Sequence, residues 1–249
     1  MRTSILITDV TRMYGVNVCI AGYTGYPSFL ECVRPVFLSG PVRESWLYHR
    51  GTAVIRPFAQ VELEFLEKEA VIPPHTEDYM IDSTVPPSRN GLLSREERLT
   101  LLQTLDDECV EKIFGATIHR DHGYYVKSGE GSRSLGTIRA RQIHEVFFEN
   151  PHSGRPDYRI RFSDKEYRQY RLKVTDLAFR HYIDRQKTRK SSGQVSQEVL
   201  DILRSADNVF FRIGLARGWD EYPDRCYLQI TGIYTFPDYL GGRCFADFA

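Results

Sequence analysis

The sequence has no run of apolar residues approaching the ~20 that a membrane-spanning helix needs. It also lacks a signal peptide's long apolar core, because Asp9 interrupts Ile5-Leu6-Ile7-Thr8. A cytoplasmic protein with no membrane partner is the expectation. Disulfide chemistry has little to work with. The five cysteines, at 19, 32, 109, 226 and 244, are odd in number and never form Cys-x-x-Cys, so they read as small apolar residues. There is no excess of charge either. Lys+Arg and Asp+Glu both number 33, so any site for a polyanion has to be local.

Catalytic signatures are equally sparse. Gly129-Glu130-Gly131 and Gly136 have neither the dinucleotide spacing nor a following Gly-Lys-Ser/Thr. They read as a surface loop, with Lys127 and Arg133 close enough to support a phosphate contact through backbone amides. No Gly-x-Ser-x-Gly elbow occurs. Asp157 followed by Ser163-Asp164-Lys165 resembles a restriction-type nuclease core, but Ser163 stands where the second metal-binding carboxylate is required. His119-Arg120-Asp121-His122 sets two imidazoles three residues apart, yet no Cys or Glu at ligand spacing completes a metal site. No catalytic residue, metal or cofactor is therefore expected. His119, Asp121 and His122 remain the alternative site for an enzyme acting on nucleotides or nucleic acid.

What is present describes a soluble globular protein: 249 residues, 41% apolar and 27% charged, enough for one large or two small domains. Strand patterns dominate, at 4–8, 16–22, 29–37, 53–66, 209–216 and 226–235. Arg34-Pro35 and Arg56-Pro57 mark strand ends or bulges, with the arginine exposed nearby. A Pro-rich loop at 72–93 separates these strands from a helix. Ser94 is its N-cap, Glu97 completes a capping box, and Leu99, Leu101, Leu102 and Leu105 form its apolar stripe, which Val110 and Ile113 extend. Its other face carries Glu96, Glu97, Asp106, Asp107, Glu108 and Glu111. Further helices are expected over 175–187 and 196–205, with Ser191-Ser192-Gly193 as the break between them. The organisation is 1–92, a helical connector at 93–116, and 117–249.

The stretch from Gly136 to Lys190 stands apart. From Arg133 to Lys190 there are fifteen Lys/Arg and seven Asp/Glu, leaving the rest of the chain acidic. Three short strands alternate apolar with basic residues: Ile138 and Ala140 with Arg139 and Arg141, Tyr158, Ile160 and Phe162 with Arg159 and Arg161, Tyr170, Leu172 and Val174 with Arg171 and Lys173. Alternation at period two puts the cations on one face of each strand. Turn-like segments at 150–156 and 163–166 imply antiparallel pairing, which gathers all three basic pairs on one sheet face if the registers match. Like charges side by side cost stability. Either a bound polyanion offsets that cost, or acidic segments elsewhere in the chain do. Among the aromatics, Trp219 in a Gly-bounded polar loop beside Arg217 suits base stacking best, followed by Tyr234.

Short motifs along the whole chain resemble one family. Ile5-Leu6-Ile7-Thr8-Asp9-Val10-Thr11-Arg12-Met13, Val18-Cys19-Ile20-Ala21-Gly22 and Cys32-Val33-Arg34-Pro35 are similar to the opening of the dual OB-containing domain family, with Cys32-Val33 in place of the more usual Trp-Ile. Ser134-Leu135-Gly136, Leu172-Lys173-Val174-Thr175-Asp176, Phe211-Arg212-Ile213-Gly214-Leu215-Ala216-Arg217 and Ile230-Thr231-Gly232-Ile233-Tyr234 continue the likeness. The resemblance implies a mainly β, α+β fold with two OB-like small β-barrels in one chain. It also implies a prokaryotic defence or nucleic-acid-processing setting, and it matches Arg12, Arg34 and Arg212 to the family's polar positions.

The expectation is a non-catalytic nucleic-acid-binding module, an accessory subunit whose partners are single-stranded, guide or target nucleic acid and a protein encoded nearby. Arg139, Arg141, Arg159, Arg161, Arg171 and Lys173 would contact phosphates. Arg12, Arg34, Arg56, Arg212 and Arg217 would line the second barrel or the groove between barrels, and Trp219 and Tyr234 would stack on bases. The rival is a protein-interaction subunit whose basic sheet docks on an acidic partner.

Overall fold

A computed structural model describes residues 1–68, 72–149 and 156–249. The first half contains β1 (Arg2–Arg12), β2 (Asn17–Thr24), β3 (Glu31–Phe37), β4 (Val42–Arg43), the short pair β5 (Tyr48–His49) and β6 (Thr52–Ala53), β7 (Ala59–Lys68), β8 (Asp78–Ile81) and β9 (Ser88–Leu92). The order β1-β2-β3-β8-β7 closes because β7 also pairs with β1. Every contact in this ring is antiparallel except β3 with β8. Arg34-Pro35 falls where β3 leaves β2, after Val33, and takes up β8, so the missing proline donor lies at the exchange of partners.

The second half contains β10 (His119–Arg120), β11 (Tyr124–Lys127), β12 (Leu135–Arg139), β13 (Gln142–Glu149), β14 (Asp157–Ser163), β15 (Gln169–Val174), β16 (Asn208–Leu215) and β17 (Arg225–Phe236). Its path β13-β14-β15-β17-β16-β12 follows the same sequence of pairings, again with one parallel contact, β15 with β17. Here the opening strand is broken. Ala140 N–H donates to Val209 O on the β16 side and Arg141 N–H donates to Ser163 O on the β14 side, each at 2.9 Å. One strand thus changes partner across two residues, and the sheet curls into a half-barrel. Both halves are OB-like, and the protein is mainly β.

This topology corrects the sequence reading of the basic stretch. Arg159 faces Lys173 and Arg161 faces Arg171 across β14 and β15, as the alternation requires. Arg139 and Arg141 do not join them. The strand Gln142–Glu149, unread in the sequence, occupies the place beside β14 and brings Glu145 opposite Arg161 and Phe147 opposite Arg159. The expected turn at 150–156 falls, apart from Pro156, outside the described residues.

The helices are α1 (Arg95–Thr104), α2 (Val110–Ile113), α3 (Leu177–Lys187) and α4 (Ser192–Ser205). The Ser94–Glu97 capping box forms as the sequence indicates. The apolar stripe continues in α2, but as a separate turn after a break. Asp106 and Asp107 are not on an exposed helix face. Asp107 accepts Thr137 N–H and pairs with Arg133, and Asp106 pairs with Lys165 at 2.8 Å. The expected break between α3 and α4 exists but falls at 188–191, slightly before Ser191-Ser192-Gly193. Ser191 is the N-cap of α4, with Gln194 closing the box, and Gly193 lies in the first turn.

The halves share a core, a hydrophobic cluster that runs through both barrels. A smaller cluster joins Leu101 and Leu102 of α1 to Leu6, Phe210 and Phe236. From Ile5 to Thr11, β1 is buried at every position, and so is β16 from Val209 to Leu215. Such double-sided burial needs a second layer on each strand. The contact includes a charge pair. Arg212 is 0% exposed, and its Nε donates to Asp9 Oδ2 at 2.9 Å. Its Nη1 donates to Tyr23 OH and Thr137 Oγ1, and Thr231 Oγ1 donates to Asp9 Oδ1 at 2.6 Å. Burial works against the guanidinium charge, but the Asp9 carboxylate and its hydrogen bond, with Tyr23 beside them, outweigh it and hold Arg212 well above its ordinary range.

Removing one member of a buried pair leaves an uncompensated charge, which costs about 3–5 kcal/mol. Arg212→Met and Asp9→Ala should each lower unfolding stability by about that much in urea titrations. Asp9→Val combined with Arg212→Met should cost less than the two single changes together.

Candidate nucleic-acid interface between the barrels

Beside the buried pair the halves leave a cleft of about 1120 Å³. One wall is the β2 and β3 surface of the first barrel with its β1–β2 loop, Met13 to Val16. The other wall includes Lys173, Gln229 and the β16–β17 loop with Arg217 and Trp219. In OB folds the face of strands two and three, with the loops joining strands one to two and four to five, is the usual ligand position. Here the first barrel supplies the face and the first loop, and the second barrel supplies the other loop.

The lining carries Arg12, Arg34, Lys173, Arg180 and Arg217 against Asp9 and Glu44. Arg12 pairs with Glu44 and lies 3.0 Å from His181 Nε2. Arg217 is exposed and pairs with Asp78. Lys173 Nζ stands 3.8 Å from Asp157, and Arg180 packs over the Tyr158 ring at 5.0 Å. Aromatic surface is available at the rim, where Tyr14 is 69% and Trp219 47% exposed. The loop carrying Trp219 is held tight. A Cβ at Gly218 would meet Pro223 O at 2.2 Å, and Tyr222 N–H donates to Trp219 O.

Trp219 begins a row of rings that the sequence reading missed. It packs against Tyr227 (5.1 Å between centroids), Tyr227 against Tyr125 (5.6 Å), and Tyr125 against His119 (5.3 Å). Tyr125 lies opposite Tyr227 and His119 opposite Tyr125, so cross-strand register builds the row. Arg225 sits over Tyr125 and Tyr222, and Arg120 over Tyr124. The period-two spacing of Arg225 and Tyr227 in β17 was the available signal. This arrangement also accounts for His119-Arg120-Asp121-His122. Asp121 pairs with Arg225 and accepts from Tyr227 OH, while His122 is exposed in the turn. Among the described residues no three His, Cys, Asp or Glu side chains gather as metal ligands.

The remaining cations fall into separate groups. On the outer face of β14 and β15, Arg159 pairs with Asp157 (2.7 Å), Arg161 with Glu145 (2.9 Å), and Arg171 lies over Phe147 at 4.3 Å. These contacts offset the like-charge cost inside the sheet. The row reaches the cleft through Lys173, which is opposite Gln229. Arg139 and Arg141 lie elsewhere, in a groove of about 460 Å³ with Lys165 and Arg204, where the broken strand changes partner.

Three expected contacts are corrected. Arg212 is sealed in the core by Asp9, Tyr23 and Thr137 and cannot reach a phosphate. Arg34 does line the cleft as expected, but on its floor, 6% exposed and fixed by Asp78 at 2.5 Å and by Ser134 Oγ. Tyr234 donates its hydroxyl to Thr8 O, packs its ring on Phe58 and lies outside the cleft lining. Arg56 lies outside the cleft, its Nη2 donating to Gly242 O.

The chain matches the family model for the dual OB-containing domain over residues 4–233. It belongs to that family. No curated protein and no solved structure matches it. The matched span takes in nearly all of both barrels of this dual OB chain. Among the described residues no helix is long and apolar enough to cross a membrane.

His75 lies behind the cleft floor, with its Nε2 3.2 Å from Leu215 O. Burial pushes its pKa down to about 4, and Arg34 and Arg217 add to the fall. A depressed histidine binds its proton in the unfolded chain first. Its contribution is complete above the ordinary value of about 6.5 and is lost as pH falls towards 4. Unfolding titrations should show about 2–3 kcal/mol of stability lost over that window, and His75→Gln should flatten the slope.

Proposed function

We propose that this protein is a non-catalytic module that binds single-stranded nucleic acid in the inter-barrel cleft. The observation that carries this reading is the meeting of an OB face, two OB ligand loops and a set of cations, Arg217 exposed among them, at one opening, from which Trp219 leads into a row of aromatic rings. The strand would run from the Lys173 edge of the β14–β15 face, past Arg217 and Arg12, and onto Trp219 and the rings behind it. Flat rings suit bases whatever their sequence, and guanidinium and ammonium groups suit phosphates. A single strand fits better than a duplex because the rings offer stacking partners only to unpaired bases. In the setting that the family resemblance implies, such a module would serve as an accessory subunit of a prokaryotic defence or nucleic-acid-processing assembly.

Fluorescence anisotropy with labelled single- and double-stranded DNA and RNA tests this across a salt series. Single strands should bind, with log K falling against log[salt] at a slope of about −2 or steeper, equivalent to roughly three or more neutralised phosphates. Trp219→Ala should weaken binding by about 1–3 kcal/mol, and Arg217→Gln should make the slope shallower. A folded, monodisperse protein with no salt-sensitive binding to any of the four would overturn the proposal.

A further inference from the structure

A second cavity, of about 320 Å³, lies where the start of α1, the segment Arg56-Pro57-Phe58 and the end of β17 meet. It shares no lining residue with the inter-barrel cleft. Its floor is apolar and aromatic, from Phe58, Leu93 and Phe236. Its walls carry four guanidinium groups, Arg56, Arg95, Arg98 and Arg243, against two carboxylates, Asp176 and Asp238.

Those carboxylates answer to the backbone. Asp238 accepts Leu240 and Gly242 N–H, and Asp176 accepts Ala178, Phe179 and Ile233 N–H. The cations instead hold carbonyls. Arg56 Nη2 donates to Gly242 O at 3.1 Å, Arg98 Nε to Leu93 O at 2.9 Å, and Arg243 Nε to Leu240 O at 3.0 Å. Arg56 Nε is buried with no hydrogen-bond partner. A buried donor left unmade is costly, and a turn of the Arg56 guanidinium towards the cavity would let an anionic oxygen satisfy it. Arg98 lies over the Phe58 ring at 5.1 Å, which places positive charge directly above the apolar floor. Burial lowers the proton affinity of Arg98, Asp238 opposes this, and Arg56 adds to the fall, so the two guanidinium groups repel each other across the cavity. An anion between them would reverse the sign of that interaction.

We propose that this cavity binds a small organic anion, with a phosphate or carboxylate held by Arg56 and Arg98 and an apolar body on the floor formed by Phe58, Leu93 and Phe236. The volume is at the low end for small-molecule sites, which suits one ring system with one acidic group. The site is independent of the inter-barrel cleft, so the two readings stand or fall separately.

Isothermal titration of the full chain with phenyl phosphate, benzoate and the four nucleoside 5′-monophosphates tests the proposal. The phosphates and the carboxylate separate the two acidic groups, and the nucleotides set the largest body accepted. At least one probe should bind saturably with Kd of about 1 mM or tighter, and Arg56→Gln and Arg98→Gln should each weaken it about tenfold or more. Backbone amide NMR shifts in the unsubstituted protein should centre on Phe58, Leu93 and Phe236, which keeps the test valid if a variant fails to fold. Absence of saturable binding by all six probes would overturn it. So would shifts centred on Trp219, or binding that Arg217→Gln weakens while both other variants leave it intact.

Discussion

The buried pair of Asp9 and Arg212 is the constraint on which the arrangement of the two barrels depends. Neither charge is tolerable in the core alone, and each belongs to a different half. Asp9 is on the opening strand of the first barrel and Arg212 on the fourth strand of the second. The hydroxyls of Tyr23, Thr137 and Thr231 orient the pair from both sides. An apolar contact would tolerate sliding. A charge pair with directed hydrogen bonds fixes one relative position, and the width of the cleft beside it follows.

A second buried polar set reinforces that position beneath the cleft. Arg34 and Asp78 bind within the first barrel, while Glu77 accepts Ser134 N–H and Oγ–H, and Arg217 reaches back to Asp78. The groups that hold the barrels together are thus continuous with the groups that face the cleft. Arg217 belongs to both, and its loop carries Trp219.

Much of the fold was legible because strands advertise themselves through alternation. Tyr158, Ile160 and Phe162, and then Tyr170, Leu172 and Val174, face the core as their spacing required. Ser94 and Glu97 marked a helix start correctly. Gln142–Glu149 escaped notice because Ile143, Val146, Phe147 and Phe148 do not alternate cleanly, a register shift after Ile143 disturbing the pattern. The site was legible only in part. Arg12, Arg34, Lys173, Arg217 and Trp219 do meet at the cleft, but Arg212 lies in the core. Its setting held the contrary signal: one charge in the apolar run Val209-Phe210-Phe211-Arg212-Ile213, answering one acid in Ile5-Leu6-Ile7-Thr8-Asp9-Val10. The aromatic row was hidden for another reason. It is assembled across three strands, and no local window contains it.

The double-sided burial of β1 has a consequence for biosynthesis. Its first layer, β2 and β7, is made within the next sixty or so residues, but Asp9 waits for Arg212, 203 residues further along the chain. At ordinary elongation rates that interval is on the order of ten to forty seconds. Throughout it the first barrel carries an exposed strand face whose acid has no counterion. The N-terminal half therefore emerges as an incomplete structure, and strands of the second half bring the layer that covers it.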